Sequence, residues 1–229
     1  MNAETLETVL AEIEAKRPVV LATNLETGAQ RLLHRGDGET ESERADIEHA
    51  LRVDACITKD AESGPQVFYQ PFNPPLRMIL IGAVHIAQPL SAMATLTGYE
   101  VTIVDPRESF AAADRFPGVT LNLEWPDAAL ESLGLDQRCA VVTLTHDPKL
   151  DDPALQVALR NDVFFIGCLG SKKTHASRLR RLGKAGFSEF ELERVKGPVG
   201  LPIGSRSPAE IAVSVLAQVT ETLRKPKQR

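Results

Sequence analysis

The spacing of apolar residues along the chain changes near residue 72. Before that point, short helical and alternating patterns follow one another, which predicts a small N-terminal α/β domain over residues 1–72. Its predicted elements are a helix at 4–16, a hairpin of strands 18–23 and 31–34 that turns at Gly28, a helix at 42–51 and a strand at 66–70. The two prolines after Asn73 restrict the backbone and predict a stiff link to the rest of the chain.

Beyond this link, buried-strand patterns and helical patterns alternate. The predicted strands are 78–81, 101–104, 120–123, 140–144 and 163–168, and the predicted helices begin at Ile86, Asp152, Lys172 and Ser207. Asp152 and Ser207 are each followed by proline, the composition of a capped helix start. The alternation predicts an α/β domain over residues 73–229, a Rossmann-like doubly wound parallel sheet with helices on both faces.

Composition narrows the class of protein. Apolar residues make up 43% of the 229 residues, as in ordinary globular proteins, and no apolar run reaches the length of a membrane span. The three cysteines form no pairable motif and the N-terminus has no signal-peptide pattern, so we expect a cytoplasmic protein. A net charge of −5 and few aromatic residues beside the bases argue against a nucleic-acid partner.

Candidate chemistry begins at the turn after the first strand of the larger domain. Gly82-Ala83-Val84-His85 stands where dinucleotide-binding folds carry a glycine-rich fingerprint, but Val84 replaces the middle glycine. The following helix still offers N–H groups and the positive end of its dipole, which makes Gly82 and His85 candidate ligand-binding residues. The alternative is a tight turn that binds nothing.

The second strand ends at Asp105, the position of a ribose-binding acid in such folds, and Arg107 follows it. The guanidinium of Arg107 has the charge to neutralise a phosphate. The alternative is a salt-bridged pair within the loop.

A polar segment follows the strand at 140–144. His146 beside Asp147 has the chemistry of a general base or an oriented hydrogen-bond donor, and Lys149 has the charge to hold an anion. Asp152 is interpreted as a helix cap. The segment lacks the spacing of metal ligands, so no metal site is predicted.

Another polar segment follows the strand at 163–168. A glycine-containing turn leads into a helix whose start carries hydroxyl, ammonium and imidazole groups, the composition of a phosphate cradle. The candidate residues are Gly170, Ser171, Lys172, Lys173 and His175. The alternative is an ordinary helix start with exposed side chains.

Five segments together make the chain resemble a known family. They are RMILIGAVHIAQPL, VTIVDPRESFAAADRFP, LTHDPKLDDPAL, IGCLGSKKTHASRL and GPVGLPIGSRSPAEIA. From Val67 to Leu223 the chain resembles the XdhC/CoxI family, accessory proteins for xanthine dehydrogenase and related molybdenum hydroxylases. It is similar to a short form, because it lacks the Gly-Gly-Cys motif that full-length members carry in their N-terminal domain, and Cys56 has no flanking glycines.

The resemblance implies a chaperone of the molybdenum cofactor (molybdopterin) more than a catalyst. Such proteins bind the cofactor, hold it while a cysteine desulfurase exchanges an oxo ligand for sulfur, and deliver it to the apo molybdenum hydroxylase. The resemblance thus implies these two partner proteins, and a homodimer is the default assembly. It assigns no catalytic residue to this chain and gives the polar residues at the strand ends the task of recognising a pterin phosphate or a nucleotide.

Two alternatives stay open. One is an oxidoreductase that uses NAD or another nucleotide on a Rossmann fold, although Val84 and the lack of a recognisable substrate domain argue against it. The other is a protein–protein adaptor with a vestigial ligand site. Fold alone does not separate these functions.

Overall fold

The computed structural model describes residues 2–59 and 65–225, which divide into two compact units between Pro74 and Pro75. No helix within these described residues is long and apolar enough to cross a membrane.

The N-terminal unit is a four-stranded antiparallel sheet with two helices. Its elements are α1 (Ala3–Glu14), β1 (Val19–Asn24), β2 (Gln30–His34), α2 (Glu41–Val53), β3 (Ile57–Lys59) and β4 (Val67–Phe72). The strand order is β2-β1-β4-β3, and the predicted hairpin of β1 and β2 is confirmed. Helix α2 buries Ile47, Ala50 and Leu51 in a cluster with Val20 and Ala22 of β1, which forms the core of this unit.

The second unit is built on a six-stranded parallel sheet. Its strands are β5 (Leu76–Ile81), β6 (Tyr99–Val104), β7 (Thr120–Asn122), β8 (Cys139–Thr143), β9 (Phe165–Cys168) and β10 (Val195–Lys196). Its helices are α3 (Ala87–Leu96), α4 (Pro126–Leu133), α5 (Pro148–Arg160), α6 (Lys172–Lys184), α7 (Glu189–Leu192) and α8 (Pro208–Arg224). The strand order β10-β9-β8-β5-β6-β7 is that of dinucleotide-binding folds, which confirms the predicted Rossmann-like α/β class.

Helices cover both faces of this sheet. Successive residues of each strand point to opposite faces, and both sets are buried against helices. Met78 and Leu80 of β5 lie in a buried cluster with residues of α3 and α8. Ile79 and Ile81 lie in a second cluster with residues of α4, α5 and α6. The carboxyl ends of the strands all meet at one edge of the sheet, which is where ligands bind in folds of this type.

One predicted helix start is wrong. Helix α5 begins at Pro148, and Asp147 is its N-cap, since Oδ1 of Asp147 accepts a hydrogen bond from the N–H of Lys149 at 2.9 Å. Asp152 and Pro153 therefore lie inside the helix. Two Asp-Pro pairs carry the same start signal, and the earlier start adds Leu150 to the buried face of the helix, which offsets the hydrogen bond that Pro153 cannot donate.

Candidate functional site

The carboxyl edge of the parallel sheet carries all the residues predicted to bind a ligand, on the loops and helix starts that follow β5, β6, β8 and β9. This set is named the strand-edge site. Its members are Gly82, His85, Asp105, Arg107, His146, Asp147, Lys149, Gly170, Ser171, Lys172, Lys173 and His175.

Asp105 joins the loops after β5 and β6 through a fully buried carboxylate. One oxygen, Oδ2, accepts from the N–H of Ala83 at 2.8 Å and from Nη2 of Arg107 at 2.7 Å. The other, Oδ1, accepts from the backbone N–H and from Nε of Arg107, at 3.0 and 2.8 Å. These four bonds fill the acceptor capacity of a carboxylate, so the salt-bridged loop pair is present and a ribose contact requires Arg107 to move.

The environment of Asp105 favours its charged form. Burial raises the pKa of this carboxyl, but the hydrogen bonds from Arg107 and from the N–H of Ala83 outweigh burial and hold the pKa below its usual range. The carboxylate is therefore ionised at neutral pH and anchors the turn after β5.

Arg107 contacts the carboxylate of Asp105 and the ring of Phe110. Its guanidinium carbon is 4.2 Å from the centre of the Phe110 ring, and its side chain remains 37% exposed. The hydrogen bonds with Asp105 raise the pKa of Arg107, and the charge of Asp147 raises it further. Asp147 follows β8, so the charge of Arg107 interacts with acidic groups in the loops after both β6 and β8.

The turns after β5 and β8 are in close contact at Gly82. A Cβ atom on Gly82 would lie 2.3 Å from Cγ2 of Thr145, and the φ of Gly82 is +108°. Both the contact and the backbone conformation require glycine at this position.

His146 and Gly170 bring the loops after β8 and β9 together. His146 has left-handed backbone geometry, with φ of 62°, and its side chain is exposed. Its Nδ1 lies 3.5 Å from the position that a Cβ on Gly170 would take. The imidazole thus stands beside the start of α6.

The start of α6 presents two cations to solvent. Ser171 is the N-cap, and its Oγ accepts from the N–H of Thr174 at 3.1 Å. Lys172 and Lys173 occupy the first turn and are exposed. They oppose the helix dipole in this position, a cost that an anionic ligand would remove.

His175 does not share this exposed surface. Its ring lies against Gly197, where a Cβ would come 2.1 Å from Nδ1. That Nδ1 is buried and has no hydrogen-bond partner among the described residues. Burial lowers the pKa of His175 and the charge of Arg178 lowers it further, so the ring is neutral at physiological pH.

Asp151 and Arg178 are not among the predicted ligand-binding residues, although Arg178 follows the predicted residues of α6 by one turn, a position from which it is expected to support them. Both are 1% exposed, and they form a buried ion pair beneath the loops after β8 and β9. The signal for Asp151 is its place in the apolar stripe of α5, beside Leu150 and Ala154. Had the start of α5 been predicted correctly, a charge in that stripe would have been evident.

The cysteines of the Rossmann-like unit are not reactive groups. Cys168 and Cys139 are fully buried, and burial raises the pKa of each thiol to about 11. Cys56 is exposed but belongs to the N-terminal unit. Within residues 2–59 and 65–225, no group of three or more His, Cys, Asp or Glu side chains is arranged to hold a metal ion.

A family comparison identifies this unit. The XdhC Rossmann domain matches residues 78–219, which is more than half of the chain and includes the whole strand-edge site. The chain belongs to the XdhC family. The predicted resemblance is thereby confirmed.

Curated relatives of this XdhC family member include one protein named for molybdenum cofactor insertion and one named for xanthine dehydrogenase. Molybdenum cofactor insertion chaperone PaoD of Escherichia coli (strain K12) is 33% identical over 166 residues, which are 72% of this chain and 46% of PaoD. A Bacillus subtilis (strain 168) protein, named as a probable xanthine dehydrogenase subunit, is 34% identical over 159 residues, which are 68% of this chain and 46% of that protein. The chain spans less than half the length of these relatives.

A solved structure supports the fold of this XdhC family member. The crystal structure of a xanthine dehydrogenase from Bacillus halodurans superposes with a TM-score of 0.72 and 23% identity, and the superposition covers 96% of this chain and 67% of that one. At this identity the likeness establishes the fold alone.

Proposed function

We propose that the protein is an accessory protein for the maturation of a molybdenum hydroxylase of the xanthine dehydrogenase or carbon monoxide dehydrogenase type. We further propose that it binds the molybdenum cofactor at the strand-edge site. The observation that carries the proposal is the match of residues 78–219 to the XdhC Rossmann domain. PaoD is named as a cofactor insertion chaperone and the Bacillus subtilis relative is named for xanthine dehydrogenase, and both names support this function.

The strand-edge site fits the phosphate end of the cofactor. The first N–H groups of a helix have no partner within it and form an anion site together with the positive dipole end. At α6 these groups are combined with the exposed ammonium groups of Lys172 and Lys173, and with His146 beside Gly170. Lys149, in the first turn of α5, adds a third exposed cation at the same edge.

The thiol chemistry of the chain supports a division of labour with partner proteins. The cofactor, when bound, would supply the molybdenum centre, and Lys172 and Lys173 would hold its phosphate end. Cys139 and Cys168 are fully buried with pKa values of about 11, so neither offers a thiolate at the strand-edge site. On this proposal a cysteine desulfurase supplies the sulfur, the apo hydroxylase receives the cofactor, and the protein, as a homodimer, holds the cofactor between these steps.

Equilibrium binding under anaerobic conditions tests the proposal. Purified protein is titrated separately with molybdenum cofactor, NAD and ATP. Saturable binding of the cofactor is the expected result. Saturable binding of NAD without binding of the cofactor would favour the oxidoreductase, and binding of none of the three would favour the adaptor.

A change at Lys172 tests the position of the phosphate. Lys172→Ala removes a charged hydrogen-bond donor and is expected to weaken cofactor binding about tenfold. Lys184→Ala is the matched control, because Lys184 is an exposed lysine in the last turn of the same helix. Equal losses of affinity in the two variants would show that the phosphate does not lie at the start of α6.

A further inference from the structure

Two opposite charges are buried beneath the strand-edge site. Asp151 on α5 and Arg178 on α6 are each 1% exposed, and Nη2 of Arg178 lies 3.1 Å from Oδ2 of Asp151. Replacing a buried ion pair by apolar residues is often neutral or stabilising, so stability alone does not explain such a pair. Two donor atoms of Arg178, Nε and Nη1, also have no hydrogen-bond partner among the described residues.

The carboxylate of Asp151 holds the loop after β8. Oδ1 of Asp151 accepts a hydrogen bond from the hydroxyl of Thr145 at 2.7 Å. Oγ1 of Thr145 in turn accepts from the N–H of Asp147 at 3.1 Å. His146 lies between these two anchored residues, in its left-handed conformation.

The guanidinium of Arg178 holds the loop after β9. Nη2 of Arg178 also donates to the carbonyl oxygen of Leu169 at 3.1 Å. Leu169 directly precedes Gly170, the residue that lies beside His146. One nitrogen of Arg178 therefore connects the start of α6 to the carboxylate that anchors the neighbouring loop.

We propose that Asp151 and Arg178 are positioning residues that set the separation of these two loops, so that His146 and the first turn of α6 face one ligand. This inference rests on the proposed function, because the ligand is the molybdenum cofactor. Both side chains are buried, so they act through Thr145 and Leu169 and do not touch the cofactor.

The chain contains a matched control pair. Asp152 and Arg181 join the same two helices, with Nη2 of Arg181 2.9 Å from Oδ1 of Asp152. This pair is partly exposed, at 14% for Asp152 and 37% for Arg181. The further hydrogen bond of Arg181 goes to Ser177 on its own helix and not to a loop of the strand-edge site.

The test compares two double variants in which both charges become apolar, so that neither leaves a buried charge unpaired. Asp151→Leu/Arg178→Met is expected to bind molybdenum cofactor about tenfold more weakly than wild type, as for residues that orient ligand-binding groups. Asp152→Leu/Arg181→Met is expected to keep wild-type affinity. Thermal unfolding of both variants separates affinity from stability. Wild-type affinity in the first variant, or an equal loss in both, would overturn the inference.

Amide hydrogen exchange provides a second readout that needs no cofactor. In Asp151→Leu/Arg178→Met the amides of Asp147 and Leu169 should exchange faster than in the control variant. Unchanged exchange would overturn the inference, whether or not the wild-type protein binds cofactor. Absence of cofactor binding by the wild-type protein would contradict only the proposed function. If the double variant does not fold, Asp151→Asn/Arg178→Met replaces it in both measurements. It leaves no buried charge unpaired and still removes the hydrogen bond from Arg178 to the carbonyl oxygen of Leu169, so weaker cofactor binding and faster exchange at Leu169 are expected.

Discussion

A single buried carboxylate organises the turn that lies at the centre of the strand-edge site. Asp105 receives hydrogen bonds from the Ala83 N–H and from three donors of Arg107, and it has no exposed surface. Replacing the carboxylate by an amide turns one acceptor oxygen into an NH2 group, which leaves two of these four donors without an acceptor. Such losses are costly, because an unsatisfied buried group loses its hydration without compensation.

Asp105→Asn is therefore expected to lower the free energy of unfolding by about 2–3 kcal/mol. Urea unfolding monitored by circular dichroism measures this change. Glu100→Gln is the control, because Glu100 is an exposed acid on β6, the strand that Asp105 follows, and its unfolding free energy should match that of wild type. Equal stability of Asp105→Asn and wild type would contradict the anchoring role.

His175 predicts a specific dependence of stability on pH. Burial, with the nearby charge of Arg178, lowers its pKa from the usual 6.5 in the folded protein. As pH falls through 6.5, the unfolded chain takes up the proton first, so the stability that the neutral ring contributes above pH 6.5 is lost on acidification towards the folded-state pKa.

A His175→Gln variant should lose this component. Its unfolding free energy is expected to fall less than that of wild type between about pH 7.5 and pH 5.5, a range that spans about one unit on either side of an unperturbed histidine pKa. His85→Gln, a change at an exposed histidine of the same unit, is measured alongside as the control. Parallel curves for wild type and His175→Gln would refute the assignment.

The elements of the strand-edge site meet through close contacts between turns. Gly82 combines a positive φ with a contact to Thr145 that leaves no room for a methyl group. Gly98, at the end of the next helix, also has positive φ, at +88°, but nothing lies within 4 Å of a Cβ placed there. Comparing an alanine substitution at each of the two glycines therefore separates the cost of backbone strain from the cost of steric contact.

Gly82→Ala should destabilise the protein by about 2–4 kcal/mol, since strain and overpacking add. Gly98→Ala should cost about 1 kcal/mol, the strain alone. Thermal or denaturant unfolding of both variants gives the comparison. Equal costs would show that the turns after β5 and β8 do not touch.

Sequence patterns located the elements better than their starts. Strand patterns with Gly or polar residues at their ends predicted the loops that hold Asp105, His146 and Lys172, because those signals are local. The start of α5 was misplaced because two Asp-Pro pairs compete and only burial of Leu150 decides between them. The strands β3 and β10 have three and two residues, too few to show an alternation of apolar and polar positions. They acquire their structure from pairing with neighbouring strands.

At the scale of the whole molecule, strand order determines which loops meet. The alternation of strands and helices predicted a doubly wound parallel sheet, and the observed strand order places β8 beside β5, a pairing of strands distant in sequence. This pairing places the loop of His146 next to the loop of Gly82, and β9 then places Gly170 beside His146. The Asp151–Arg178 pair depends on the same topology, since its two helices follow β8 and β9, and local patterns did not reveal it.

The central claim is that molybdenum cofactor binds at the strand-edge site of this XdhC family member. Hydrogen exchange of the protein with and without cofactor, under anaerobic conditions, tests this claim most directly. We expect slower exchange in the loops at 82–87, 145–149 and 169–175, with little change along β1 and β4 of the N-terminal unit. Saturable cofactor binding with protection confined to other parts of the chain would contradict the assignment of the site.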